Sequence, residues 1–498
     1  MSEYNFYYDE SEHSRKINHK TITADNYYDN FIAVVVGWRS EYETDLFSKY
    51  TAFEDKYKDR QSKGELKSST IRQSQLEHGF ASLNNDNISL LEDFLALFNE
   101  KTLIYYAVIS KIEYIIRQLF EDYKNSLWVD MDAMKYSITK AVVLHKPADI
   151  INGFYENTGD LVTLLKKFFT SEIKKDKANE ELKKMEIEQY NQILMLLDDV
   201  STIKTINWNY DISFDGFKKY LTERSIGNYS LTIDEEGENS NTAKSAEREC
   251  LTTVLEADSL TSCGIRMADM LAGLISKLLK ALHKALHYTS EGEQVNKKIL
   301  SSSWFAISEQ QLSLYKRLHY VAVELNKSWY KAYSGIYSDD LIVFIAFLNF
   351  ISHFETVEAI KSDIDMQSEY FNAYACESLS DYYKRMHNKL PIDPVDRNSS
   401  DYFFDRRGAK IYFDINKQPM LKITKDRIVC NALAVGFSKE RIPLITIAEA
   451  GNVKCYRLPI ELSEWAMTLV GFANMGVNLF PAKVLFSKTK GELCADIL

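Results

Sequence analysis

The sequence predicts an α/β protein in which a mixed sheet is covered by helices, interrupted by a helical insertion and followed by a C-terminal α+β region. Three observations predict this class. Short apolar runs rich in β-branched residues alternate with helical periodicity before residue 115. From 116 to 204 only helical periodicity is present. Six of the seven prolines follow residue 390, where they punctuate strands and turns.

The first elements alternate between strands and helices. Residues 4–8 are aromatic and β-prone, and residues 31–38 are a continuous apolar run, which is typical of a strand buried on both faces. A charged, aromatic helix is expected at residues 41–58. Residues 65–67 are a candidate third strand.

The sheet is expected to be completed around the insertion. Ser89 is expected to cap a helix at residues 90–98, and residues 103–109 are expected to form another strand. After the helical insertion, residues 229–234 again have a strand pattern. Helices are then expected at residues 243–255 and, strongly apolar, at residues 264–286.

The remainder of the chain has a different character. Residues 304–388 are helical and aromatic-rich, a hairpin is expected between residues 410–414 and 420–424, and residues 444–448 are a further strand. The predicted organisation has five segments: the first part of the sheet domain (1–115), the helical insertion (116–204), the second part of the sheet domain (205–292), a helical region (300–390) and a β-rich C-terminal region (391–498).

Composition limits the class of function. The net charge of −11 argues against a general nucleic-acid coat protein, but it leaves room for an enzyme with a local basic groove. No cysteine pair has the C-x-x-C spacing of a zinc or redox site, and the polar N-terminus does not resemble a signal peptide. The longest apolar run, residues 341–354, is too short to span a bilayer. We therefore expect a soluble, reduced, cytoplasmic protein without a membrane partner.

Four aspartates are placed where chemistry can occur. Asp9 and Asp234 end strands, and open α/β sheets place their sites at the C-terminal ends of strands. Asp258 follows a predicted helix, and Asp269 lies inside the apolar helix. A carboxylate in such a helix is costly to bury unless it is paired or metal-bound. The placement therefore favours a metal site.

Each of these acids also has a structural explanation. Asp9 fits a turn after a strand, Asp234 fits a solvated acidic turn, and Asp258 fits a helix cap or a loop. Asp269 fits an ion pair with Arg266 or a position at the rim of the protein. Any one acid alone is therefore more readily structural, and the combination carries the functional hypothesis.

A resemblance to a known family rests on five motifs in order: Tyr8-Asp9-Glu10-Ser11, Glu65-Leu66-Lys67-Ser68, Ile233-Asp234, Asp258-Ser259 and Ala268-Asp269 with Ala272-Gly273. Their order resembles the RNase H-like family catalogued as domain of unknown function thirty-eight hundred. Members open with a strand ending D-E-S-G and close with D-S and a helix reading roughly I-Q-L-A-D-L-I-A-G. Glu12 replaces the glycine and Arg266 replaces the glutamine. The resemblance covers residues 1–115 and 205–290.

The resemblance implies an RNase H-like fold and a metal-dependent nuclease acting on RNA or DNA. It implies an acidic metal-binding and catalytic cluster formed by Asp9, Asp234, Asp258 and Asp269, with Asp9 as the bridging ligand. Such a cluster fits two Mg²⁺ or Mn²⁺ ions roughly 4 Å apart. The general character of the family implies a role in defence against foreign nucleic acid, including phage, or in a mobile element.

Three further residues are second-tier candidates: Glu10, Glu65 and Lys67. Successive strand residues point to opposite faces, so Asp9 and Glu10 are not both expected to bind one ion, and spacing alone does not choose between them. Glu65 and Lys67 would share one strand face, where an exposed ion pair is the default. As part of the site, Lys67 would contact phosphate.

Two other hypotheses compete with the nuclease. In the first, the domain is a catalytically degenerate scaffold that binds a protein partner through its aromatic-rich C-terminal half, which Glu12 and Arg266 favour. In the second, the same metal site serves another phosphotransfer or phosphohydrolase reaction, because a fold does not determine its substrate.

His283 and His287 are a separate case. Their spacing of four residues can bind metal, but the sequence shows no third ligand and Lys280 and Lys284 lie beside them. This pattern favours a solvated helix face.

Overall fold

The structure is a computed structural model, and it is described over residues 3–12, 19–24, 26–124, 130–156, 158–200, 206–207, 211–236, 241–288, 297–388, 403–404, 411–412, 418–423, 427–437, 442–449, 452–474, 479–489 and 492–498. The chain divides into two compact units. The first comprises Met1–Asp122 and Met134–Ser380, and the second comprises Tyr123–Ala133 and Asp381–Leu498. The helical region predicted at residues 300–390 thus lies largely in the first unit.

The first unit is built on a mixed sheet. Its strands are β1 (Tyr4–Ser11), β2 (Asn30–Arg39), β3 (Glu77–Phe80), β4 (Thr102–Ser110), β5 (Tyr229–Asp234), β6 (Val254–Ala257) and β7 (Ala332–Tyr333). Six of them form a sheet in the order β6-β5-β1-β2-β4-β7. β2 is antiparallel to both β1 and β4, whereas β5 is parallel to β1 and to β6, and β7 is parallel to β4.

Helices cover this sheet and fill the insertion. Those that begin before residue 389 are α1 (His19–Ile22), α2 (Glu43–Lys56), α3 (Asn85–Ala96), α4 (Lys111–Leu119), α5 (Met131–His145), α6 (Ala148–Glu156), α7 (Leu161–Asp176), α8 (Glu180–Asp198), α9 (Ile212–Glu223), α10 (Asn241–Arg248), α11 (Cys263–Leu286), α12 (Glu309–His319), α13 (Asp339–Ser352), α14 (Val357–Lys361) and α15 (Ile364–Asn388). The expected helical insertion is confirmed in its described residues by α5 to α8.

Both faces of the sheet are buried, because alternate residues of each strand enter different cores. Val34 and Val36 of β2 pack with α2, α3, α11, α12 and α13 on one face. Ala33 and Val35 pack with α9 and α10 on the other. The continuous apolar run at residues 31–38 therefore has the physical cause that was predicted for it.

One predicted strand and one predicted helix start in the first unit are wrong. Residues 65–67 do not form a strand, since Glu65 makes only an isolated bridge to Ser62 before a 3-10 turn at Ser68–Thr70. α3 begins five residues earlier than the cap at Ser89 implies, because the side chain of Asn84 accepts the backbone N–H of Asn87 and caps the helix first.

The helix predicted at residues 243–255 is also shorter than expected. It ends at Arg248, and Val254–Ala257 joins the sheet as the strand β6. Cys250 and Thr253 have φ angles of 59° and 57°. These left-handed conformations end the helix and turn the chain into the sheet.

The second unit contains an antiparallel sheet. Its elements are β8 (Phe403–Phe404), β9 (Ile411–Tyr412), β10 (Arg427–Phe437), β11 (Pro443–Glu449), β12 (Asn452–Arg457), α16 (Ser463–Asn474), β13 (Ala482–Thr489) and β14 (Glu492–Ile497). Five strands have the order β12-β11-β10-β13-β14, and β8 pairs with β9. The strand predicted at residues 444–448 is confirmed as β11.

The predicted hairpin after residue 410 is wrong in its pairing. Ile411–Tyr412 pairs with Phe403–Phe404, and Met420 makes a parallel bridge to Arg457. Residues 410, 413–417 and 424 of the expected hairpin region lie outside the described residues. No helix among the described residues combines the length and apolar character that crossing a bilayer requires.

Candidate active site

Asp9 and Asp234 lie on the same face of the sheet, at matching positions of neighbouring parallel strands. Asp234 ends β5 as predicted, whereas β1 continues for two residues beyond Asp9, to Ser11. Tyr8 is paired with Ile233, so Asp9 and Asp234 occupy the next matching position of β1 and β5. Tyr8 and Ile233 belong to the core under α9 and α10, whereas Tyr7 belongs to the core under α11. Because side chains alternate along a strand, Asp9 and Asp234 face α11.

Asp269 approaches this position from α11. Its carboxylate accepts hydrogen bonds from the backbone N–H of Ser68 at 2.8 Å and from the Ser68 hydroxyl at 2.9 Å. Two glycines allow this approach. A Cβ at Gly264 would lie 2.2 Å from the Tyr7 ring, and one at Gly273 would lie 2.2 Å from the Cβ of Ser68. Because glycine has no Cβ, α11 packs closely against the sheet at Gly264, and the turn at Ser68 packs closely against α11 at Gly273.

The pKa values of Asp9 and Asp234 reflect burial beside other carboxylates. Burial raises the pKa of Asp9 well above its ordinary value, and the negative charges of Asp269, Glu10 and Asp234 raise it further. Burial also raises the pKa of Asp234, although the backbone N–H of Ser259 donates to its Oδ1 at 3.1 Å. Such a group of acids is stabilised by a cation, and oxygen ligands are those that Mg²⁺ prefers.

Glu65 and Lys67 border the acids as an ion pair. Lys67 Nζ lies 2.6 Å from Glu65 Oε1. Glu65 is buried while Lys67 is half-exposed, so the pair differs from the fully exposed one expected by default. The hydrogen bond to Glu65 raises the pKa of Lys67, and the charges of Asp269 and Asp234 add to this effect. Lys67 is therefore a cation that interacts electrostatically with Asp269 and Asp234.

Two more lysines on α11 approach the same region, and sequence reasoning did not select them. Lys277 Nζ donates to the carbonyl oxygen of Ser68 at 3.1 Å, and Lys280 pairs with Glu12 at 2.8 Å. Their spacing from Asp269, eight and eleven residues, places them on one helical face, which is the signal that could have identified them. Glu12 thus ties the end of β1 to α11.

The structure separates Asp258 and Glu10 from the acids that face α11. Asp258 is exposed, and its Oδ1 accepts the backbone N–H of Leu260 at 2.9 Å within its own loop. Glu10 is hydrogen-bonded to the hydroxyl of Tyr8, on the α9 side of the sheet. The structure thus brings Asp9, Asp234 and Asp269 together.

Arg266 does not pair with Asp269, which was the structural explanation considered for that acid. Its Nε and Nη2 each lie 2.8 Å from a different carboxylate oxygen of Glu54, and its Nη1 donates to the carbonyl oxygens of Ser259 at 2.6 Å and Leu260 at 3.0 Å. Arg266 therefore fixes the loop whose Ser259 N–H orients Asp234. It is a positioning residue.

The acids are spread more widely than a closed cage around one ion. Among the described residues, the group of three whose ligand atoms all lie within 4.8 Å of one another is His283, His287 and Asp340, far from the strand ends in sequence.

In comparisons with models of protein families, with curated proteins and with solved structures, nothing matches this chain. Function is therefore inferred from the geometry and chemistry of the residues described above.

Proposed function

We propose that this chain is a metal-dependent nuclease that hydrolyses phosphodiester bonds of RNA or DNA. The observation that carries the proposal is the convergence of Asp9, Asp234 and Asp269 on one face of the sheet. Asp234 ends β5 and Asp9 lies near the C-terminal end of the adjacent parallel strand β1, which is where α/β sheets place their sites. Asp269 is held in position by Ser68.

The strand order supports an RNase H-like interpretation of the first unit. An antiparallel meander of β1, β2 and β4 is extended by β5 and β6, which run parallel to β1. Asp9 and Asp234 thus lie on the central strand of these five and on its parallel neighbour, and Asp269 lies on α11. A five-stranded mixed sheet of this kind is what the resemblance to the RNase H-like family implies, and β7 extends it at the edge.

The ligand type of the three acids suits divalent cations such as Mg²⁺ or Mn²⁺, which keep several water ligands and so need no closed cage of protein oxygens. All of their ligand atoms are carboxylate oxygens, which suit these ions better than softer metals. The raised pKa of Asp9 and Asp234 shows that their charges are poorly compensated by the protein alone. A bound cation would lower the pKa of an attacking water and polarise the phosphoryl oxygens.

The surrounding residues orient these acids and the substrate. Ser68 holds both oxygens of Asp269, and the Ser259 N–H holds Asp234. Lys67, positioned by Glu65 and half-exposed, is placed to contact a phosphate oxygen of the substrate. Local lysines of this kind supply the positive charge that the net charge of −11 lacks.

The test is a cleavage assay on single- and double-stranded RNA and DNA, in Mg²⁺, in Mn²⁺ and in EDTA. We compare wild type with Asp9→Asn and Asp269→Asn, and use Asp55→Asn, an exposed acid of α2, as the matched control. The expected result is cation-dependent cleavage that falls about 100-fold or more in the two site variants, since even partners of metal ligands contribute roughly 10–100-fold. The control should cleave at the wild-type rate.

Each other outcome has a definite meaning. Cleavage that survives in both site variants would place the active site elsewhere. No cleavage of any nucleic acid would reject the nuclease and favour the scaffold hypothesis. Hydrolysis of small phosphoesters alone would reject the polynucleotide substrate while retaining the acids as the site.

A further inference from the structure

The far end of α11 carries a second cluster of potential metal ligands. His283 and His287 meet Asp340 of α13, and one ligand atom from each lies within 4.8 Å of the others. The sequence pattern favoured a solvated helix face, because the third residue comes from a different helix 57 positions after His283. That expectation is wrong in part, since both histidines are only partly exposed and Asp340 supplies a third potential ligand.

The distances within the cluster suit ligands that share one ion. His283 Nδ1 lies 3.0 Å from Asp340 Oδ2 and 3.3 Å from Oδ1. Two ligand atoms that are each about 2.1 Å from one ion at the tetrahedral angle are separated by about 3.4 Å, which is close to these distances. The His283 and His287 rings are stacked with their centroids 3.8 Å apart, so the second imidazole lies beside the first.

A second layer of hydrogen bonds orients these ligands. The Tyr28 hydroxyl and the Asn30 side-chain amide donate to Asp340 Oδ2 at 2.9 and 2.7 Å, which fixes the carboxylate. His287 Nδ1 lies 3.1 Å from the carbonyl oxygen of His283. A proton on Nδ1 therefore satisfies this carbonyl and leaves the Nε2 lone pair of His287 for a ligand bond.

The cluster opens into a cavity. Its volume is about 250 Å³, and the two histidines and Asp340 form part of its wall together with apolar residues such as Leu282 and Val343. Three protein ligands beside such a space leave room for a water or a small ligand in a fourth position, as at zinc sites that keep an open coordination position.

We propose that His283, His287 and Asp340 bind a transition-metal ion of the Zn²⁺ class. Imidazole nitrogens favour such ions, whereas the carboxylate-only cluster at Asp9, Asp234 and Asp269 favours Mg²⁺ or Mn²⁺. His283 follows Asp269 by 14 positions on α11, roughly 21 Å along the helix. The two sites are therefore separate, and this proposal does not depend on nuclease activity.

An ion pair between His283 and Asp340 is the competing explanation of the same contact. Burial alone lowers the pKa of His283, but the Asp340 charge and hydrogen bond more than offset this, and the net shift is upward. His287 distinguishes the two explanations. It contributes a ligand to the metal site, whereas the ion pair needs only His283 and Asp340.

The test uses the full chain, purified without a histidine tag and freed of metal with EDTA. Zn²⁺ is titrated calorimetrically in the presence of millimolar Mg²⁺, and the zinc retained after gel filtration is measured by mass spectrometry. Wild type is compared with His287→Ala and with Asp340→Asn, whose side-chain oxygen can still accept from Tyr28 and Asn30. His353→Ala, which removes an exposed histidine, is the matched control.

Wild type and the control should each bind one equivalent of Zn²⁺, and His287→Ala should bind at least about tenfold more weakly. Co²⁺ should give a visible ligand-field spectrum with wild type that His287→Ala lacks. Should Asp340→Asn fail to fold, His287→Ala still decides the question. No Zn²⁺ bound by wild type, or equal affinity in His287→Ala, would overturn the proposal.

Discussion

The ion pair between Arg266 and Glu54 should be important both for stability and for the acid cluster. Two N–H groups of the guanidinium meet the two carboxylate oxygens at 2.8 Å, and both side chains are nearly buried, with 10% and 7% of their surface exposed. We expect Arg266→Gln to leave the Glu54 carboxylate buried without its cation.

The magnitude follows from burial and from the remaining partners. Removing one member of a buried ion pair costs about 3–5 kcal/mol. Arg266→Gln should be in this range, because it also removes the donors to the carbonyl oxygens of Ser259 and Leu260. Glu54→Gln should cost less, since Arg266 keeps both of these carbonyl acceptors.

The assay is a double-mutant cycle read by urea denaturation of the full chain. The combination of Arg266→Gln and Glu54→Gln should be more stable than the sum of the single effects predicts, by about 2 kcal/mol, because neither charge is then left unpaired. Arg266→Gln should also reduce cleavage by roughly 10-fold, since the loop that carries Ser259 loosens around Asp234. Single effects that add to within about 0.5 kcal/mol would refute the coupling.

Three further outcomes are expected. Asp258→Asn should retain cleavage to within about threefold, because the Asn side chain can still accept the hydrogen bond from the Leu260 N–H. A loss of cleavage as large as that in Asp9→Asn, roughly 100-fold, would show that Asp258 is a metal ligand. Burial and the charge of Asp269 raise the pKa of Asp9 above 3.8 in the folded state, so the stability of the EDTA-treated protein should fall as the pH rises from about 4 towards that raised pKa. Asp9→Asn should therefore have a higher Tm than wild type at pH 7. An unchanged or lower Tm would contradict this sign. Lys67→Ala should weaken the binding of all substrate sequences and reduce the slope of log affinity against log salt concentration by about 1. Fluorescence anisotropy of a labelled strand measures this slope. An unchanged slope would show that Lys67 does not contact phosphate.

Short-range patterns predicted the sheet well. The apolar runs at residues 31–38 and 103–109, in β2 and β4, were predictable because residues buried on both faces of a sheet are apolar at every position. The segments that became β1 and β5 were recognisable from their β-prone residues instead. The prediction that Asp9 and Asp234 end strands followed from these segments. It is correct for Asp234, whereas β1 continues past Asp9 to Ser11. Asp269 was identifiable because a carboxylate inside an apolar helix needs a partner.

Features that depend on distant contacts were not predictable in the same way. The segment at Glu65–Lys67 has a strand-like pattern, but Ser68 is bound by Asp269 from 201 positions away, and the chain turns there instead. Glu54, the partner of Arg266, lies in α2, 212 positions away, so the sequence around Arg266 does not indicate this pairing. Both contacts exist only once the sheet and α11 are assembled.

The histidine cluster shows the same limit. His283 and His287 were visible as a pair, but Asp340 belongs to α13, which was predicted only as an apolar helix of a separate region. The packing of α13 against α11 supplies the third ligand. A metal site with one long-range ligand therefore looks like a solvated helix face in sequence.

Binding of Mn²⁺ to the acids is the measurement that tests the central claim most directly. The loss of the electron paramagnetic resonance signal of free Mn²⁺ is followed in a His287→Ala background, so that the second cluster does not contribute. We predict saturable binding that is lost, or weakened at least about tenfold, in Asp9→Asn and retained in Asp55→Asn. Equal binding in the Asp9→Asn and Asp55→Asn proteins would contradict the assignment of the acids as a cation site.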